Sequence, residues 1–119
     1  MVTKEELKDW LNESARKNYA KKLEEYIDRS IKVNALKGNT TFYISTGEYT
    51  RDGSRKTPFN GLWYTDEISE ENRKIVHENT INKYREFGFK IERTSVDCGW
   101  NNHYFALMFK DIDKVILDN

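Results

Sequence analysis

The chain has 119 residues, enough for one hydrophobic core and too few for two, so a single α+β domain over residues 1–119 is expected. Twenty Lys and Arg balance twenty Asp and Glu, which excludes a long-range field drawing the whole molecule to nucleic acid or an anionic membrane. Hydrophobic residues make up only 37% of the chain, but aromatics at 13% are too many for a disordered one, and Cys98, the single cysteine, excludes an internal disulfide.

The first predicted element is a helix. Thr3 and Glu6 have the spacing of a capping box, in which each side chain satisfies an orphan amide of the other residue. Leu7, Trp10, Leu11, Tyr19, Leu23, Tyr26, Ile27 and Ile31 then recur at three-and-four spacing, with Glu13 and Lys17 as one opposite-charge pair a turn apart. This predicts one long amphipathic helix over about 4–36, stopped by Gly38. The charged start, MVTKEELKDW, is neither a signal peptide nor a membrane span, so a cytoplasmic protein without a membrane partner is expected.

TTFYISTGEYT alternates as a strand does, and Asp52-Gly53 suits a type I′ hairpin turn, which makes SRKTPFNGLWYT the returning strand, irregular at Pro58 and Gly61. Ser69 caps a second helix over about 70–87, with Glu70 and Glu71 favoured by its dipole and Val76, Thr80, Ile81, Tyr84 and Phe87 as its inward stripe. FKIERTSVD and HYFALMFKDI form a second hairpin around Cys98 to Asn101, and the apolar Val115, Ile116 and Leu117 should dock. The expected architecture is helix, hairpin, helix, hairpin: an antiparallel four-stranded sheet with two helices on one face.

In that sheet the outer face should be polar at every second position. If Phe105, Leu107 and Phe109 point to the helices, Tyr104, Ala106 and Met108 point away, and an apolar outer face predicts a homo-oligomer; the competing reading is a central strand whose outer face the chain's own tail covers.

No complete catalytic or metal motif is present, and neither an enzyme nor a cofactor is expected. Cys98 and His103 flank a turn, but no third orienting residue accompanies them. HENTIN places Ile81 where a zinc helix of the H-E-x-x-H kind needs its second imidazole, so His77 reads as a half-buried helix residue. The basic run RKNYAKK reads as a solvated helix face.

The remaining concentration of chemistry is GEYTRDGSRKTPFNGLWYTDE. From Thr50 to Asn60, Arg51, Arg55 and Lys56 face only Asp52 in charge, while Trp63 and Tyr64 follow, and Trp100, Asn101, Asn102 and His103 of the other hairpin turn lie at the same end of a regular meander. Guanidinium forks suit phosphate or carboxylate, rings suit a planar group, and Asn amides suit base edges. These nine residues form the candidate ligand site. The competing reading is that the tryptophans are core and the cations keep an edge soluble.

YREFGFKIER, a helix ending in aromatic-Gly-aromatic-Lys-Ile, leading into the aromatic strand HYFALMF, resembles the small accessory proteins of bacteriophages. The resemblance implies a binder that inhibits a host factor or defence system, or sequesters an anionic, nucleotide-like signal, in the host cytoplasm; the alternative it implies is a virion structural or assembly protein. Nucleic acid is a possible but less favoured partner for a chain of zero net charge.

Overall fold

The computed structural model describes residues 1–99 and 101–117. Helix α1 spans Lys4–Leu36, and its first turn closes as a capping box, with Glu6 N donating to Thr3 Oγ1 at 3.0 Å and Thr3 N to Glu6 Oε1 at 3.3 Å. At about 1.5 Å per residue it is roughly 50 Å long, and the molecule's longest dimension is 56 Å. Its apolar stripe is not buried throughout. Tyr19, Leu23 and Ile27 are buried, whereas Leu7, Trp10 and Leu11 are exposed.

Strand β1 (Phe42–Ser45) enters the sheet, and β2 (Gly47–Thr50) with β3 (Gly53–Lys56) forms a hairpin that leaves it. With β4 (Lys90–Asp97) and β5 (His103–Lys110), the expected four-stranded sheet is a three-stranded antiparallel sheet, in the order β1-β5-β4, beside a two-stranded one. Thr46 is the pivot. Buried between β1 and β2, it donates from both its amide (2.9 Å) and its hydroxyl (2.8 Å) to Phe105 O, and its carbonyl accepts Thr57 N at 3.0 Å.

The returning strand stops at Lys56 because Thr57-Pro58 begins a helix, α2 (Pro58–Trp63). Proline at the first helical position loses no hydrogen bond, and Phe59 and Trp63, four residues apart, share one face and are both buried. The hairpin turn also differs from expectation. Arg51 and Asp52 are its central residues, neither has positive φ, and Gly53 takes the fourth position at φ 134°, so the mirror-image turn is not used.

Helix α3 (Glu70–Phe87) is capped by Ser69, whose hydroxyl accepts Asn72 N, and packs on α1. Strands β4 (Lys90–Asp97) and β5 (His103–Lys110) follow, and the chain then turns into α4 (Lys114–Leu117). There Val115 is half-buried near Gly88, but Ile116 and Leu117 are exposed, so of the described tail only the start docks. Phe105, Leu107 and Phe109 of β5 face the helices, where Leu107 and Phe109 are fully buried with Leu23, Ile27, Phe59 and Ile81.

The two sheet edges are finished differently. Thr46 and Cys98 bond to Phe105 and Asn102, which sets the alternation: Tyr43 and Ser45 of β1, and Ile91, Arg93, Ser95 and Asp97 of β4, point their backbone groups outward. On β1 the Ser45 carbonyl accepts the Thr57 hydroxyl. On β4 the Ile91 carbonyl accepts Arg85 Nη2 at 2.7 Å, and beyond it the only hydrogen-bond contact among the described residues to an outward backbone group is a 3.5 Å approach of the Thr94 hydroxyl to Ser95 O.

Candidate functional site at the hairpin end

Hairpin β2–β3 lies against the outer face of the sheet. Pairing Gly47 with Lys56 and Tyr49 with Ser54 puts these four on one hairpin face, with Glu48 and Arg55 on the other. Tyr104 reaches the first face: its hydroxyl is 3.1 Å from Ser54 Oγ, and its ring lies so close over Gly47 that a Cβ there would approach it to 2.1 Å. Glycine is required by that contact rather than by a turn. Tyr49 lies on Gly99 of the β4–β5 turn, where a Cβ would meet its ring at 3.1 Å. The two turns thus adjoin, and Tyr49 remains 67% exposed.

The nine predicted ligand residues divide. Arg51, Arg55 and Lys56 are exposed on the hairpin, and Asn101, Asn102 and His103 are exposed at the neighbouring turn, where Asn101 adopts φ 59°. Arg55 donates Nε–H to Glu48, so one of the three cations is already paired, and it lies on the hairpin face opposite Lys56. Tyr64 is half exposed at the end of α2. Trp100 lies outside the described residues.

Trp63 is not at this surface. It is buried, stacked on the His77 ring at 3.5 Å between centroids and 4° between planes, with Phe105 at 5.0 Å on its way to the sheet. Helix α2 replaces the expected strand, and a helix of that phase turns Trp63 inward. Tyr19 completes the cluster. Its Oη is 2.8 Å from Leu62 O, 3.2 Å from Trp63 O and 2.9 Å from His77 Nε2. The single phenolic proton on Leu62 O leaves Nε2–H of a neutral imidazole to donate to Oη. Burial lowers His77 from its ordinary 6.5 to about 4, with the nearby Arg73 and Arg93 charges adding to the effect and a hydrogen bond to the Trp63 backbone opposing it. Sequence spacing suggested a half-buried helix position; His77 is fully inside.

Of the predicted oligomer face, Ala106 is completely buried within the one chain and Tyr104 is half-buried under the hairpin, so neither is an open apolar surface. The chain folds its own hairpin over the Tyr104 part of that face. Met108 is half-buried.

The cysteine and histidine considered for nucleophilic chemistry do not converge. Cys98 pairs with Asn102 and His103 with Asp97, so adjacent register positions send their side chains to opposite faces. Burial first, then the Asp97 and Glu48 carboxylates, raises the Cys98 thiol above its ordinary value, which opposes thiolate formation. Among the described residues no three His, Cys, Asp or Glu side chains gather as a metal site. The basic run of α1 is engaged structurally: Arg16 donates to Asn72 Oδ1 at 2.9 Å, Lys17 pairs with Glu13, and Lys22 with Glu67.

Two openings lie away from the hairpin tip. One, about 470 Å³, sits between α1 and α3 over Ile31, Tyr84, Phe87 and Phe89; another, about 570 Å³, runs along α1 and β1 past Tyr26, Arg29, Tyr43 and Glu48. No described helix is long and apolar enough to cross a membrane. Comparison of the chain with family models, with curated proteins and with solved structures returned no match.

Proposed function

We propose that this is a non-enzymatic binding protein whose hairpin end engages an acidic surface on a protein partner. The observation that carries the reading is the seating of β2–β3 on Tyr104 and the β4–β5 turn, an ordered support around which Tyr49, Arg51, Arg55 and Lys56 stay exposed. An exposed tyrosine among arginines is the composition of protein-binding hot spots, and the net positive tip favours an acidic counterpart although the molecule is neutral. In the setting implied by the resemblance to phage accessory proteins, the partner would be a host factor.

The small-molecule version of this reading, a planar anion held between rings, is less well supported. Trp63 stacks in the core and Arg55 is paired with Glu48, which leaves Tyr49 as the exposed ring of the hairpin itself. The assembly-protein alternative draws its support from another surface, the exposed Leu7, Trp10 and Leu11 of α1.

Amide chemical shifts of the labelled protein, titrated separately with polyglutamate and with ATP, test the proposal. Polyglutamate should move residues 47–56 and 97–104, salt should reverse the change, and Arg51→Ala with Lys56→Ala should abolish it. Shifts confined to other surfaces, or ATP binding at the tip with no response to polyglutamate, would reject it.

A further inference from the structure

The outer edge of β4 is the least protected backbone in the sheet. Arg85 closes it at Ile91, and past that point Arg93, Ser95 and Asp97 present outward N–H and C=O groups that no other described strand pairs. Natural edges are commonly shortened, bulged, covered or charged against such pairing. This one carries charges, but their order is self-complementary.

Laid antiparallel on a second copy about a two-fold axis through Ser95, β4 brings Arg93 opposite Asp97 twice, once on each side of the axis, and Thr94 opposite Val96 twice on the other face. The parity also agrees. Arg93, Ser95 and Asp97 are the residues with outward backbone groups, so each would fall in a hydrogen-bonded pair, Ser95 with its own symmetry mate. Moving the axis one residue along, to Thr94, puts Arg93 opposite Ser95 and Asp97 opposite Ile91, and the charge match is lost. Centring it on Arg93 sets two guanidinium groups against each other.

The side chains are available for it. Arg93 is exposed, and no described residue forms an ion pair with it. Asp97 is exposed and accepts Gly99 N through Oδ1 at 2.8 Å, with its second oxygen open to a guanidinium. Thr94 and Val96 are half-buried, and Val96 is the apolar member of the outer-face pair.

We propose that β4 pairs with β4 of a second copy of this chain, in the register centred on Ser95, to give a two-fold dimer with a continuous six-stranded sheet. This goes beyond the hairpin reading and rests on none of Tyr49, Arg51, Arg55 or Lys56. The antiparallel arrangement sends the two β4–β5 turns, and the hairpins seated on them, to opposite ends of the dimer, so the two copies would engage partners independently.

The test is mass against concentration for the full-length chain, by sedimentation or light scattering. Wild type should approach twice the chain mass at micromolar concentration. Ser95→Pro removes an outward N–H at the axis, a position where an edge strand tolerates proline, and should raise the dissociation constant by at least about tenfold with an unchanged circular dichroism spectrum. Arg93→Asp alone and Asp97→Arg alone should each weaken self-association through like charges, and mixing these two variants should restore a dimer, because every pair across the axis is then Asp with Arg. A wild type that stays monomeric to near-millimolar concentration, or a dimer indifferent to Ser95→Pro, would overturn the proposal. If Ser95→Pro fails to fold, the mixing experiment decides, and a mixture no more associated than its components refutes the pairing.

Discussion

Tyr104 and Phe105 are neighbours on β5 and point to opposite faces of the same sheet, yet they organise two different kinds of structure. On the Phe105 side, Trp63, His77 and Tyr19 close into a buried cluster in which the polar atoms satisfy one another. On the Tyr104 side, a hairpin rests on the Tyr104 ring and hydroxyl and on Gly99 of the neighbouring turn, and its cations and Tyr49 stay exposed. Tyrosine and histidine occur in or beside both regions. What separates them is whether a helix arrives to cover them, and that divides residues which hold the molecule together from residues left free to meet something else.

The sharpest way to break this contrast is to empty the covered side. Phe59 is fully buried between Tyr26 and Trp63, so Phe59→Ala should cost about 3–5 kcal/mol by urea unfolding. A loss below about 1 kcal/mol would mean that α2 is not packed as described.

Acid should act on the same side through His77. The folded state holds the ring near 4 while the unfolded chain titrates near 6.5, so above pH 6.5 neither state binds the proton and nothing is lost. As pH falls below 6.5 the unfolded state takes up the proton first, and stability declines until about pH 4, by about 3 kcal/mol at most. Unfolding free energies at about pH 7.5 and about pH 5 should differ more for wild type than for His77→Gln. Equal differences would remove His77 as the cause.

On the Tyr104 side, Gly47→Ala forces a methyl group into the Tyr104 ring and should cost about 1–3 kcal/mol. Hydrogen exchange should quicken at residues 47–56 while β4 and β5 keep their protection, because the hairpin is loosened from the sheet and the helix-side core is not touched. Uniform loss of protection would show that the two sides are one cooperative unit.

The smallest effect belongs to the exposed tip. Arg51→Ala with Lys56→Ala should change stability by less than about 0.5 kcal/mol, since neither side chain is buried. A larger change would recast the hairpin cations as structural.

How much of this could be read beforehand varies by element. Both long helices were legible because caps and apolar spacing are local: Thr3 with Glu6, Ser69, and the run from Leu23 to Ile27 state their structure within a few residues. Helix α2 was missed although Thr57-Pro58 followed by Phe59 and Trp63 carries a start signal and an inward pair; a hairpin expectation from Asp52-Gly53 absorbed it. Read as a strand this segment puts Trp63 at the ligand site; as a helix it puts Trp63 in the core. The hairpin's departure from the sheet had no comparable local signal. It depends on Thr46 meeting Phe105, 59 residues away, and on Tyr104 filling the space that Gly47 leaves empty.

What the sequence by itself determined is therefore the content of periodicity and caps: α1 and α3, the β4–β5 hairpin, and the alternation that sends Phe105, Leu107 and Phe109 inward. Tertiary structure alone decided which aromatic rings are covered, that Ala106 needs no second subunit to hide it, that Arg55 is answered by Glu48, and that β4 keeps an open edge. The reason is physical. Helix and strand formation depend on neighbours a few positions apart, whereas burial and edge pairing depend on which distant segment arrives, and zero net charge or aromatic content carries no record of that.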